Sequence, residues 1–572
     1  MPIRKPDVFT LLPPGSVTLK GVLGQSIDRS IAGRLTKVSY EHLVEPFRSR
    51  SENDGLWRCE FWGKIVRSAI RSWHARPNPE LRDLITATVR DLLSTQTPDG
   101  CISTYPREAQ TSRWDVWGRK YVLLALCRYC HEIDNDPAVR QAIARCLRHL
   151  ASQVGPGAKS MLDSGEHLGM APSSILGAVL KAYRLTGEAW MLDYASWIIE
   201  QGGSPVFAQV RSGMSPRNIA NGKAYEMTSC VEGLLEWYRE TGEPSLLAAV
   251  QEYFRKVREE EIFVTGVGGL KDTVGEYWYH GAVNQVRADC GGLGETCVTT
   301  TYIRFCLNLL RATGDIRLAE EIERSLYNGA LGAMTPDGSA WSHLNPTPLA
   351  GPSSRTLAGD QIALCSRGRS QFQEDCCLAQ GPEALASAAL FAALRCEGGM
   401  VINLYEDCRV QADAGLALVI RSGYPDHGAV VISIDCAAER EFRLKLRIPD
   451  WSGDTQVRVA GQKIPVQAGT YCDLCRKWQP GETIELQFAM QTAEIMVGQG
   501  FRALRRGPVL LARDSRLGDV NRPYEAAGEA MPVEPVPGFR RVYALQDGSR
   551  VCDYASAGNT FSEESQLRVF LP

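Results

Sequence analysis

The sequence has no strong charge of either sign, no basic cluster and no long apolar run, and each absence closes a class of function. A formal net charge of −3, with no Lys/Arg cluster interleaved with aromatic residues, leaves no electrostatic footprint for a nucleic acid. No stretch approaches ~18 consecutive apolar residues, so none reads as a membrane span. The opening residues, MPIRKPDVFTLLPPGSV, place Pro13 and Pro14 in their short apolar stretch and lack an apolar core followed by a small-residue cleavage site. The expected location is cytoplasmic. In a reducing compartment most of the 18 cysteines are expected to be free, and Cys127, Cys146, Cys230 and Cys306 fall in apolar helical runs where cysteine packs as a small hydrophobe.

What is present divides into two periodicities. From about residue 25 to 395 apolar residues recur at helical spacing, in segments of about 12 to 18 residues. Three segment ends are near copies, AYRLTGE (182–188), WYRETGE (237–243) and LLRATGD (309–315), each with glycine where a helix C-cap needs a left-handed residue. The repetition predicts a toroid or solenoid of helix pairs. From 396 to 572 the pattern becomes strand alternation, as in MVINLYE, AVVISID and FRLKLRIP, with turn residues between. The expectation is an α + β multidomain protein, with a helical domain over 25–395 and a β-sandwich over 396–572. Residues 1–24 lend a strand to the β part through SVTLKGV, and 516–572 add edge strands.

EDCCLAQGPEALA (374–386) sets Cys376 beside Cys377. Adjacent Cα atoms lie only about 3.8 Å apart, short of the usual disulfide spacing, so a shared metal is the more natural role. Upstream, GGLGETCVTTTYIRFCLNLL supplies Glu295 and Cys297, which face one ion together if the backbone there is extended. Three thiolates and a carboxylate suit zinc. The two pairs are 79 residues apart, which is not a zinc-finger spacing, so spacing alone leaves both a metal site and ordinary core cysteines open. The CxxC pairs Cys127/Cys130 and Cys472/Cys475 have no second pair to complete a site.

GETC, DCC followed by QGPEALA, and GEYW (275–278) together resemble glycoside hydrolase family 127, the β-L-arabinofuranosidase family. Further blocks resemble it in the same order: WRCEFWGKIVRSA (57–69), TPDGCISTYP (97–106), VINLYE, LRIPDWSG and RRGPVLLAR. The resemblance implies an (α/α)6 barrel with β-sandwich domains, and a zinc ion held by Glu295, Cys297, Cys376 and Cys377. It also implies Cys376 as nucleophile and Glu276 as general acid/base, giving retention through a thioglycosyl intermediate. The substrate implied is a short oligosaccharide or glycoside, cleaved at its terminal sugar, and a homodimer is compatible with this reading.

The chain also departs from the family pattern. The segment between Glu276 and Glu295 lacks an Asp-Leu-Pro-Asn stretch, and the three helical runs expected to carry sugar-binding histidines have none (114–126, 170–183 and 221–235). Lys223 stands where a histidine is expected, with Glu226 three residues on. That pair reads either as surface i, i+3 decoration or as a handle for the substrate. Further candidates for the sugar pocket are Tyr105, Trp114, Trp117, Trp278 and His280, since aromatic rings stack on apolar sugar faces. Two other readings stand beside the arabinofuranosidase one: the same site acting on an acidic or deoxy sugar, and a zinc-stabilised carbohydrate-binding protein without catalysis.

Overall fold

A computed structural model describes residues 4–52, 57–271, 274–286, 293–346, 374–525, 528–562 and 564–571. The first part is helical: α1 (Val22–Ser30), α2 (Phe61–Ala75), α3 (Pro79–Ser94), α4 (Asp115–Glu132), α5 (Pro137–Gln153), α6 (Leu176–Thr186), α7 (Trp190–Glu200), α8 (Ala224–Thr241), α9 (Pro244–Lys256), α10 (Thr296–Thr313), α11 (Ile316–Ser325) and α12 (Cys376–Ala392). Helices α2, α4, α6, α8, α10 and α12 each pack against the next, and α12 packs back on α2. Helices α3, α5, α7, α9 and α11 each lie against the helix that precedes them, and α1 lies against α12.

Burial separates the two sets. Fourteen of the fifteen residues of α2 are buried, against five of the sixteen of α3, so α2 is enclosed on all sides while α3 presents one apolar stripe inward. The repeated TG segments end α6, α8 and α10, with Gly187, Gly242 and Gly314 at φ of 72°, 70° and 70°, the left-handed caps their sequence predicts. Gly381 in α12 has a different cause: a Cβ there would sit 2.4 Å from the Trp341 ring.

The second part is β-rich. One sheet orders Thr10–Leu11, Ala393–Cys396, Gly399–Ile402, Arg440–Ile448 and Thr470–Trp478. A second orders Gln462–Ile464, Gln456–Val459, Thr483–Gln487, Ala429–Cys436, Leu416–Ser422, Cys408–Asp413 and Val17–Leu19. Both N-terminal strands therefore lie in sheets built from residues beyond 390. In Ala429–Cys436 the side chains alternate between exposed and buried, the mark of a sheet with one face on the core. A third sheet contains Thr492–Gly498, Phe501–Arg506, Val509–Asp514, Arg550–Asp553, Val542–Ala544 and Met531–Pro532. Asn328 ties it to the helices, donating to the Pro508 carbonyl at 3.1 Å and accepting from the Leu510 N–H at 2.8 Å. Among the described residues no helix is long and apolar enough to cross a membrane.

Ion pairs lock the helices from inside. Glu383 of α12 meets Arg67 of α2 at 3.0 Å and Arg304 of α10 at 3.5 Å. Burial opposes its ionisation, but these arginines hold the carboxyl down to about 2. Its folded pKa is thus below its unfolded value of 4.5, so the stability it contributes is full above that value and lost as pH falls through about 2. The size is about 3 kcal/mol. Glu383→Gln is expected to melt well below wild type at pH 7 and to close most of that gap by pH 3. Parallel melting curves across this window would show that the pair carries no such linkage.

Candidate active site

The N-terminal ends of the enclosed helices carry the chemistry. Asp375 caps α12 by accepting the Cys377 N–H at 2.8 Å, which sets Cys376 and Cys377 on the first turn. Glu295 ends the strand Leu293–Glu295 and forms the N-cap of α10, with Cys297 one residue inside the helix. The two therefore do not share an extended face: the carboxylate comes from the strand end and the thiol from the helix.

These elements converge. The Cys377 sulfur lies 3.5 Å from the Cys297 sulfur, 3.9 Å from that of Cys376 and 3.7 Å from Glu295 Oε1, and the Cys376 sulfur lies 3.9 Å from the same oxygen. All four side chains are buried. The Glu295 strand pairs with Leu344–Pro346, which brings in His343, a residue the sequence gave no reason to choose. His343 places Nε2 3.4 Å from Glu295 Oε1 and Nδ1 3.2 Å from Asp375. Glu295, His343, Cys376 and Cys377 form a group that fits around one ion, with donor atoms all within 4.8 Å of one another.

Two donor sets thus share Glu295, Cys376 and Cys377 and differ in Cys297 or His343. The residues fit a bound cation on their own terms. Glu295, Cys376 and Cys377 crowd within 3.9 Å of one another away from solvent, and burial pushes the Cys377 thiol well up, so an anionic form of this cluster needs a positive partner. The sulfurs are soft donors of the kind that transition metals take.

Glu276 stands beside this cluster on a loop that Glu261 fixes, accepting the N–H groups of Tyr279, His280 and Gly281 at 2.9, 2.8 and 3.0 Å. Its backbone is left-handed, φ 74°, although it is not glycine, and it is clamped from both sides: Glu276 N–H donates to Gly269 O, and Ala224 N–H donates to Glu276 O, each at 2.6 Å. Such strain persists only where surrounding structure enforces it. Lys223, the N-cap of α8, reaches Glu276 at 2.5 Å. Lys223 and Glu226 are both buried, so neither decorates the surface, and the lysine's close partner is Glu276 from the loop.

Burial disfavours charge on Glu276, yet the Lys223 ammonium and a hydrogen bond from Glu295 hold it down to about 2. Glu295 moves the opposite way, pushed well up by burial and by the Glu276 charge. The two carboxyls behave as one pair sharing a proton. Burial also raises Glu226, to about 7, and its Oε2 has no hydrogen-bond partner among the described residues.

Aromatic side chains wall the site. Trp114 packs edge-on to Trp117 at 5.9 Å, and Lys120 places its amino group 3.2 Å from the centre of the Trp117 ring. His167 also enters, from a loop rather than a helix, 5.4 Å from Trp114, 3.0 Å from the Asn221 amide and 4.0 Å from Glu226. Burial and the nearby Lys223 lower it to about 4, so it is a neutral hydrogen-bonding group. The other candidates sit as follows. Tyr105 is buried and its backbone N–H donates to Ser103 Oγ at 3.0 Å, Trp278 is buried with its indole N–H donating to the Tyr253 hydroxyl at 3.0 Å, and His280 is the N-cap of the short helix Gly281–Asn284.

Comparison with known proteins identifies the family. The family model described as the β-L-arabinofuranosidase, GH127 catalytic domain matches residues 21–390, and the GH127 middle domain matches 399–490. A non-reducing end β-L-arabinofuranosidase of Bifidobacterium longum subsp. longum is 21% identical, over 86% of this chain and 82% of its own. Two crystal-structure relatives share the fold. A GH127 β-L-arabinofuranosidase from Geobacillus stearothermophilus T6 has a TM-score of 0.72 at 19% identity, over 97% of this chain and 99% of its own. A second GH127 β-arabinofuranosidase has a TM-score of 0.77 at 18% identity, over 100% and 98%. The chain therefore belongs to glycoside hydrolase family 127, the β-L-arabinofuranosidase family, and is a glycoside hydrolase.

Proposed function

We propose that the protein is a retaining glycosidase that removes terminal sugars from short oligosaccharides, β-L-arabinofuranosides in the first instance, with Cys376 as nucleophile and Glu276 as acid and base. The observation that carries this reading is the Cys376 sulfur 3.9 Å from Glu295, with the Lys223–Glu276 ion pair next to it. The helical part is read as an (α/α)6 barrel spanning 25–395, from the succession of helix neighbours described above, and the first two sheets as a β-sandwich within 396–572.

Zinc is the metal that this donor set suits, held by Glu295, Cys297, Cys376 and Cys377, and when bound it would keep the sulfurs and Glu295 anionic. His343, between Asp375 and Glu295, orients that carboxylate. When a sugar hydroxyl draws Lys223 away, Glu276 loses its counter-charge beside Glu295 and takes up the proton the pair shares. The Cys376 thiolate then attacks the anomeric carbon while Glu276 gives its proton to the departing oxygen. In the second half, water attacks the same carbon, Glu276 accepts its proton, and the thiolate leaves. Two inversions give net retention.

A second reading keeps this chemistry and changes the sugar to an acidic or deoxy one. Lys223 and the loop-borne His167 favour it, because they give the pocket a cationic and a neutral donor beside the substrate. A panel of aryl glycosides covering β-L-arabinofuranoside, other pentosides, deoxyhexosides and uronides decides between the two, run beside metal analysis of the protein as purified. The proposal expects one substrate to turn over and about one zinc per chain. Absence of turnover across the panel with zinc-loaded protein would count against it.

Lys223→Met provides a separate check. Loss of a charged hydrogen bond to the sugar is expected to lower kcat/KM by about 10 to 100-fold. Removing the charge that depresses Glu276 also moves the alkaline limb of the profile to higher pH, since an acid must be protonated to act. Unchanged kcat/KM and an unmoved limb would return Lys223 to a purely structural role.

A further inference from the structure

The same helices that present the cysteine site at their N-terminal ends enclose a second chamber toward their C-terminal ends. In α10, Cys297 and Arg311 are separated by about 21 Å at the helical rise of about 1.5 Å per residue. Between the two ends lies a layer in which Tyr121 hydrogen-bonds Tyr225 and Tyr225 hydrogen-bonds Gln380. Beyond that layer is a cavity of about 530 Å³.

Its lining is strongly cationic. Ten lysine and arginine side chains face four carboxylates, Asp7, Glu132, Glu232 and Glu236. Glu240 and Glu383 pair with lining arginines from behind the wall, and counting them still leaves positive charge in excess, even with Lys120 driven toward its neutral form by burial and the neighbouring Arg304. The buried carboxylates are already engaged: Glu236 with Lys181, Arg184 and Arg239, and Glu232 with Arg304. Several donors remain unused. Arg71 Nη1, Lys120 Nζ, Arg311 Nε and Ser229 Oγ are buried and have no hydrogen-bond partner among the described residues. Arg71 Nη1 stands 3.6 Å from Glu132, beyond hydrogen-bond reach. Buried cations without compensation are costly, and their repulsion is visible at Arg71, which burial and the neighbouring Arg128 lower to about 9.

We propose that this chamber is a second binding site, for a small anion carrying more than one phosphate group. Arginine forks match phosphate oxygens in pairs, the cavity is larger than one phosphate needs, and the excess of cations over carboxylates suits a multiply charged anion. The N-terminal segment lies across it: Lys5 N–H donates to Arg239 O at 2.8 Å and Phe9 N–H to Arg311 O at 2.9 Å. Asp7, between them, binds Arg239 at 2.7 Å and Arg311 at 2.9 Å, so a carboxylate from the chain itself already occupies part of the arginine set.

Calorimetric titration of the full-length protein with fructose 1,6-bisphosphate, with inorganic phosphate as the smaller probe and chloride at matched ionic strength, tests the proposal. The bisphosphate is expected to bind with a sub-millimolar Kd and more tightly than phosphate, while chloride has no effect. Arg71→Gln should weaken the bisphosphate at least tenfold, and Asp7→Asn, a change on the outer segment with little risk to folding, should tighten it severalfold. Absence of binding to wild type, or equal binding by wild type and the Asp7→Asn variant, would overturn the assignment.

Discussion

Cys376→Ser is expected to lower turnover by about 10³-fold or more, because a hydroxyl held among buried acids and thiols is a far weaker nucleophile than a thiolate. The physical basis is position: Cys376 begins α12, its sulfur lies 3.9 Å from Glu295, and it is buried away from competing water. Glu295, Cys297, Cys377 and the adjacent His343 remain to hold a metal in the variant. Zinc content and melting temperature should therefore stay close to wild type while turnover is lost. A variant with most of its turnover intact would remove Cys376 from the chemistry.

Glu276→Gln is the second large effect, and its signature is selective. General acid assistance is worth about 10² to 10⁴-fold where the leaving group is a poor one and little where it is good. Alkyl glycosides and oligosaccharides should therefore lose about that factor, while dinitrophenyl glycosides keep most of their bond-cleavage rate. Glutamine also leaves Lys223 without its 2.5 Å partner, so some loss of positioning accompanies the loss of the proton. Equal losses on both substrate types would mean that Glu276 only positions.

Much of this was legible in the sequence because the signals are local. The TG caps depend on one left-handed residue each, and the strands on alternation over a few positions. The adjacent cysteines raise a shared ion beside ordinary core packing, and the resemblance of the surrounding blocks to the family favours the ion. What was not legible is what distant segments bring. His343 reaches Glu295 only because Leu344–Pro346 pairs with Leu293–Glu295, and a single histidine in WSHLN has no spacing to recommend it. His167 was missed for the same reason: helical positions offered no histidine, and the pocket received one from a loop.

Lys223 shows the limit from another side. Its i, i+3 neighbour Glu226 suggested a pairing along the helix, whereas its close partner in the structure is Glu276, delivered by the loop that Glu261 holds. Sequence spacing identifies which side chains share a helix face, and tertiary packing decides which charges meet. The arginine-lined chamber was invisible for a related reason. Nine of its ten lysines and arginines come from the enclosed helices other than α12, singly or in twos, with Arg4 from the N-terminal segment, and only their convergence makes a charged site.

The central claim is that Cys376 forms a bond to the sugar, and the most direct measurement is mass spectrometry of the enzyme quenched during turnover of an activated glycoside, with peptide mapping. The account predicts one sugar residue added to the peptide bearing Cys376, its disappearance on chase with unlabelled acceptor or water, and a product of retained anomeric configuration. An unmodified Cys376 peptide together with an inverted product would contradict it.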